Sequence, residues 1–121
     1  MATIKPTYDS PSGDQNLRRV TWADMANGDV GEAVGIDKAE WSDRLMQVTG
    51  TFGSGGSVSG EGTLDGANFA TLTQPANTAL TFTAAGIKAV VEAAASFRPH
   101  VTAGDGTTAL TVTLLMRRIP V

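Results

Sequence analysis

The sequence predicts an all-β fold: a β-sandwich or jelly-roll-like domain of about eight short strands with a flexible N-terminal arm. Three observations carry the prediction. Apolar residues alternate with polar ones over several stretches, the period-two pattern of strands with one face buried. Turn signals rich in Gly, Asn, Asp and Pro recur about every 8 to 12 residues. The composition, with 14 glycines and only 17% charged residues in a chain of 121, suits many sharp reversals rather than long helices.

Residues 1–17 carry Pro6 and Pro11 and few apolar side chains, so they do not specify a packed element by themselves. They read as the arm, with residues 18–121 as one sandwich domain. Ile4, Pro6, Tyr8 and Leu17 are its candidate anchors on a neighbouring subunit. Arg18 to Met25 is the first strand, with Val20 and Trp22 on one face. Asn27-Gly28-Asp29 turns the chain, Gly31 to Ile36 is a second short strand, and Asp37 to Asp43 is a polar connection carrying Trp41.

The stretch from Asp43 to Leu72 reads as three strands joined by two glycine-marked turns. Met46, Val48, Gly50 and Phe52 share one face, Gly53-Ser54-Gly55-Gly56 reverses the chain, and Val58, Gly60, Gly62 and Leu64 share a face of the next strand. Asp65-Gly66 is a hairpin signal, and Phe69 and Leu72 anchor the return. After a proline-bearing loop from Gln74 to Thr78, Leu80 and Phe82 mark a short strand. Gly86 to Ala95 fits both a helical and an alternating period; the strand reading is preferred, with one helical turn as the alternative. Pro99 within Phe97 to Thr102 suits an edge or a bulge. Ala109 to Arg117 is the clearest strand, placing Leu110, Val112, Leu114 and Met116 inward and Leu115 outward among threonines.

Composition narrows function. There is no cysteine, hence no disulfide and no thiolate metal site. A formal charge of −3 argues against a phosphate-binding surface, so nucleic acid is not expected as a partner. No apolar run is long enough to span a bilayer, and MATIKPTYDS lacks the layout of a signal peptide, which makes synthesis in the cytoplasm the expectation. Of the 12 acidic residues, Asp24, Asp29, Glu32, Asp37, Glu40 and Asp43 lie together in sequence and predict a negative edge. Arg18-Arg19 and Arg117-Arg118 stand at two strand ends that a sandwich can bring together as a positive patch.

Catalytic constellations are incomplete. His100 is the single histidine, too few parts for a zinc site or a His-based triad. Glu61 and Asp65 could form an acid/base pair on a sugar, but spacing alone supports it. Asp29, Glu32 and Asp37 lack the ligand spacing of a calcium loop. Gly53 to Gly56 lacks the Lys-Ser/Thr end of a phosphate loop. No catalytic residue, metal, cofactor or small-molecule substrate is therefore expected.

The order of these elements resembles small head-associated proteins encoded among the structural genes of tailed bacteriophages. The residues that carry the resemblance lie between about 18 and 118. They are a tryptophan-bearing first strand, Gly28-Asp29-Val30-Gly31-Glu32-Ala33-Val34, VTGTFG (48–53), the Asp65-Gly66 turn with Phe69 and Leu72, FRP (97–99) and AGDGTTALTVTLLMRR (103–118). Where that family reads closer to SNDG-x-x-W, this chain has Thr63-Leu64-Asp65-Gly66-Ala67-Asn68-Phe69. The resemblance implies a capsid decoration, or cement, protein on the outside of the virion, with the major capsid protein as partner, trimerisation and no catalysis. A tail or head-to-tail completion protein is the first alternative. A carbohydrate-binding sandwich using Trp22 and Trp41 is the second. Candidate interface residues are Ile4, Pro6, Tyr8, Leu17, Arg18, Arg19, Trp41, Arg117 and Arg118.

Overall fold

The computed structural model describes residues 1–36 and 41–118, and the described chain is all β. Its strands are β1 (Thr3–Ile4), β2 (Thr7–Asp9), β3 (Leu17–Met25), β4 (Val30–Gly31), β5 (Val34–Gly35), β6 (Asp43–Thr51) and β7 (Ser57–Thr63). They continue as β8 (Ala70–Thr71), β9 (Thr73–Gln74), β10 (Thr78–Ala79), β11 (Thr81–Phe82), β12 (Gly86–Ala89), β13 (Ser96–Ala103) and β14 (Ala109–Arg117). One sheet has the order β12-β6-β14-β3-β2. The other has β1-β4-β13-β7-β11, with β5 on β13 and β8 on β7; β9 and β10 form a small separate ribbon.

Alternation decides which side of each strand is buried. In β14, Leu110, Val112, Leu114 and Met116 are buried, while Leu115 and Arg117 face the other way. β14 pairs with β6 from Ala109 opposite Thr51 to Arg117 opposite Asp43, and with β3 on its other side. These partners send Met46, Val48, Val20 and Trp22 to the same inner face. Phe97, Val101 and Val58 come down from the other sheet to complete one core. Trp22 and Phe97 meet across it, with ring centroids 6.1 Å apart and planes tilted by 54°. The Trp22 indole N–H donates to the Glu32 carbonyl at 3.0 Å, so its one polar atom is satisfied inside the sandwich.

Gly60 shows how little room is left beside the inner side of β7. A Cβ there would lie 2.5 Å from Leu80 Cδ2 and 2.8 Å from Phe97 Cε2, closer than packed carbon atoms allow.

Several expectations change. β6 and β7 do not form a hairpin: Gly53 to Gly56 carries the chain from one sheet to the other, and each strand finds distant partners. Turn glycines permit either outcome, and pairing with β14 and β13 decides. Gly50 adopts a φ of 113° and is exposed, so the inward face of β6 ends at Val48. Leu64 lies beyond the end of β7 and is 81% exposed, not inward. Gly31 to Ile36 is broken into β4 and β5, which pair with β13 on either side of the break. Pro99 sits in an internal strand opposite Gly60, at the level of that break. Gly86 to Ala95 is strand only over β12, and the helical alternative is not realised. The count of about eight strands becomes fourteen among the described residues because glycines and bulges cut edge strands into short pieces.

Residues 1–17, expected as a flexible arm, close both sheets of their own domain. β1 runs parallel to β4, and β2 pairs antiparallel with β3. Ile4 packs against the core. Open sheet edges offer unpaired main-chain groups, and this segment covers one in each sheet. Asp37, Lys38 and Glu40 lie outside the described residues.

Leu114→Ala is expected to lower the unfolding free energy by about 2–5 kcal/mol through the cavity it leaves, and Leu115→Ala by under about 1 kcal/mol. Urea unfolding of both variants checks this. The reverse ranking would mean that β14 is placed one residue out of register.

Candidate functional site

β3 and β14 are antiparallel neighbours, with Arg19 opposite Leu115 and Arg18 opposite Met116. The four arginines at these strand ends therefore meet, as expected. Alternation then divides them into two pairs. On the outer face, Arg19 pairs with Asp9 and Arg117 pairs with Asp43. The Arg19–Asp9 hydrogen bond lowers the Asp9 pKa and raises that of Arg19. Toward the inner side, the guanidinium carbons of Arg18 and Arg118 lie 5.2 and 5.3 Å from the centroid of the Trp41 ring, within cation–π range. The expected positive patch is thus replaced by two carboxylate pairs and an arginine cover over Trp41.

Trp41 is itself buried, so its ring serves its own core and is not an exposed contact. Among the other candidate interface residues, Ile4 is tucked against the core and Pro6 is half-buried. Tyr8 stands 56% exposed on β2. Leu17 and Arg117 reach a groove formed where β6, β12 and β14 end.

That groove is the most distinctive outward feature. Ala89, Leu45 and Leu115 lie side by side across three strands. Leu45 is 46% exposed, and Val91 and Ile87 are exposed beside it. The hollow holds about 580 Å³, with Leu17, Leu45, Ala89, Val91 and Leu115 among its lining. Exposed leucines and valines taken singly are ordinary, but a contiguous patch marks a contact surface. The outward Leu115 singled out in the sequence belongs to it. Leu45, Ile87 and Val91 were missed, although Leu45 could have been found: it alternates with inward Met46 and must face out.

Arg44 lies at the same end of β6. Its guanidinium donates to the main-chain carbonyls of Trp41 at 2.8 Å and Glu92 at 3.1 Å. Its buried Nε has no hydrogen-bond partner, and no described carboxylate pairs with it. Burial lowers its pKa.

The other sheet presents a polar outer face that is satisfied within itself. Glu61 accepts from Arg98 Nε–H at 2.8 Å and meets His100 Nδ1 at 2.9 Å. Arg98 in turn stacks 3.9 Å from the centroid of the Phe69 ring. The Ser59 and Thr81 hydroxyls are 2.8 Å apart. Glu61 and Asp65 are not brought together as an acid/base pair, because Asp65 accepts from the Ala67 and Asn68 N–H groups at 2.8 Å each and orders its own turn. Those hydrogen bonds hold the Asp65 carboxyl far below its usual range. The arrangement ties β7 to β13, and the sequence reading missed it because Arg98 and His100 meet Glu61 only through strand register. Among the described residues no three carboxylate or imidazole groups converge as a metal site requires.

The expected negative edge is dispersed. Asp29 is buried and accepts from the Ala26 and Ala2 N–H groups, Asp43 is paired with Arg117, Asp24 stands exposed on β3 and Glu32 in the gap between β4 and β5.

Two loops at the far end of the sandwich are clipped by Asp105. Its carboxylate accepts from the Thr107 hydroxyl at 2.7 Å, from Ser54 N–H at 2.8 Å and from Thr107 N–H at 2.9 Å. The Thr107 side chain is the largest of the causes that lower its pKa from 3.8 to about 2.

Comparison with known proteins returns no matching family model, no matching curated protein and no matching solved structure.

Because the folded pKa of Asp105 lies below its ordinary value, its contribution to stability is present above about pH 4 and is lost as pH falls through about 2. Asp105→Asn should weaken the fold at neutral pH and flatten the loss of stability over that acid range, read by urea unfolding at a series of pH values. An unchanged acid slope would show that this carboxylate does not control it.

Proposed function

We propose that the protein is a structural component that binds the outer surface of a tailed-phage head and holds neighbouring capsid subunits together, as a decoration or cement protein. The observation that carries this reading is the contiguous apolar patch around Leu115 on the outer face of a sheet whose inner face already fills the core. Such a patch favours a protein contact. The resemblance of residues 18–118 to head-associated proteins supplies the kind of partner, the major capsid protein, and the expected homotrimer.

The strand wiring supports the reading. Following β3, β4, β6, β7, β11, β12, β13 and β14, the main strands form two groups of four in the orders β12-β6-β14-β3 and β4-β13-β7-β11. This reads as the double Greek-key order of a jelly roll, a fold that viral capsid domains use. Fold alone does not assign function.

Cementing acts by mass action. A protein that binds the assembled lattice better than its separate subunits stabilises the lattice, and a trimer that engages several subunits gains avidity from modest individual contacts. A carbohydrate-binding reading finds less support, because both Trp22 and Trp41 are buried and neither offers a ring for a sugar to stack on.

Purified protein mixed with undecorated, expanded heads should bind saturably at a fixed number of copies. Leu115→Asp should reduce occupancy at least about tenfold. Absence of saturable binding would overturn the proposal, and density at the tail vertex rather than on the icosahedral lattice would favour the tail alternative. Light scattering of the free protein should give three times the chain mass of 12.5 kDa; a strictly monomeric mass removes the trimer from the proposal.

A further inference from the structure

Residues 1–17 cover one end of each sheet, which leaves β11 and β12 as the opposite ends. Only one of these edges stays open. β11 is two residues long, and the Thr81 carbonyl on it accepts from the Lys88 ammonium at 2.6 Å. β12 is four residues long, holds no proline and pairs with β6 alone.

Register shows where the free groups of β12 point. Val90 N–H donates to the Arg44 carbonyl at 3.1 Å, and two residues earlier Lys88 stands opposite Met46 in the same register. In an antiparallel pair, residues that exchange hydrogen bonds alternate with residues whose N–H and C=O point away. Lys88 and Val90 therefore bond to β6, while Ile87 and Ala89 turn both main-chain groups past the edge, where no described residue meets them.

The side chains divide in the same way. Ile87 and Ala89 lie on the outer face, Ala89 opposite Leu45, and Ile87 is 59% exposed. Lys88 faces the inner side, its ammonium on the Thr81 carbonyl and 4.8 Å from the centroid of the Phe82 ring. No described carboxylate pairs with it.

Evenly spaced N–H and C=O groups are satisfied together only by another extended main chain. The side chains of such a strand alternate between the two faces, so those beside Ile87 and Ala89 meet apolar surface and the one between them faces Lys88. We infer that β12 accepts a strand from a partner protein, which extends the five-stranded sheet and carries an Asp or Glu opposite Lys88 with apolar residues on either side of it. A second copy of β12 would supply another lysine and no acid, so a different chain is the better complement. The inference takes from the preceding reading only the identity of that partner. The chemistry of the strand follows from the edge.

The test pans a random eight-residue peptide library against the wild-type protein, with Ala89→Pro as the counter-selection. Proline at 89 removes an N–H that β6 does not use, so it blocks an added strand and spares the ladder. The expected result is an apolar-acidic-apolar consensus that is not enriched on Ala89→Pro. For the best peptide, N-methylation at every second residue should weaken binding at least about tenfold, and at the intervening residues by under about threefold, because a strand hydrogen-bonds along one side only. Exchanging its acid for the amide should weaken binding to wild type at least about threefold and leave binding to Lys88→Gln unchanged. No enrichment, a consensus without an acid, equal enrichment on Ala89→Pro or N-methyl effects without a period of two would overturn the inference. If melting curves show that Ala89→Pro does not fold, the N-methyl series on the wild-type protein makes the same measurement. An oligomer of the free protein that Ala89→Pro dissociates would make a second copy the occupant and likewise overturn it. Peptide binding by a protein that does not bind heads would leave the edge inference standing and overturn the decoration reading.

Discussion

The long antiparallel ladder between β6 and β14, extended on its other side by β3, is the constraint on which the rest of the structure depends. It sets nine residues of β14 against partners on one side and seven on the other. Every side chain along these strands is thereby assigned to the core or to the outer face. A one-residue slip of β14 would turn Leu115 and Arg117 inward in place of Leu114 and Met116. The opposing β7–β13 ladder is held to the same core by Trp22 against Phe97.

The surface chemistry follows from that register. Alternation places Arg19 and Arg117 outside, where Asp9 and Asp43 meet them in exposed pairs that add little to stability. It turns Arg18 and Arg118 the other way, over Trp41, with Arg18 still exposed. The same alternation lines up Ala89, Leu45 and Leu115 as an outward row. The apolar groove is thus a by-product of burying Met46 and Leu114, and its exposure costs little in a fold whose core is already full. A contact surface built on paired strands is already ordered by their hydrogen bonds, which lowers the ordering cost of binding.

Much of the fold was legible in the sequence because period-two alternation is a local property. β3 and β14 stand close to where their Val, Leu, Met and Trp residues predict them, and their inner residues are buried as expected. Legibility failed where two structures share one local signal. Gly53 to Gly56 suits a hairpin and a crossing between sheets equally well, and Gly86 to Ala95 suits two periods. The candidate surface was half visible: Leu115, Leu17 and Arg117 stood out, whereas Leu45, Ile87 and Val91 gained meaning only when three strands came together. The Glu61 cluster was hidden for the same reason, since its members are 37 and 39 residues apart in the chain.

The sequence by itself determined the all-β class, the inward faces of the longest strands and the absence of cysteine chemistry, because composition and alternation act over a few residues. Tertiary structure alone decided that β6 and β7 belong to different sheets, that residues 1–17 close the edges of their own domain, and that Trp41 is buried beneath two arginines. It also decided that Ala89, Leu45 and Leu115 line up as an outward apolar row. The physical reason is that strand pairing joins residues by register across the whole chain, and no local pattern records which distant edge a strand will find.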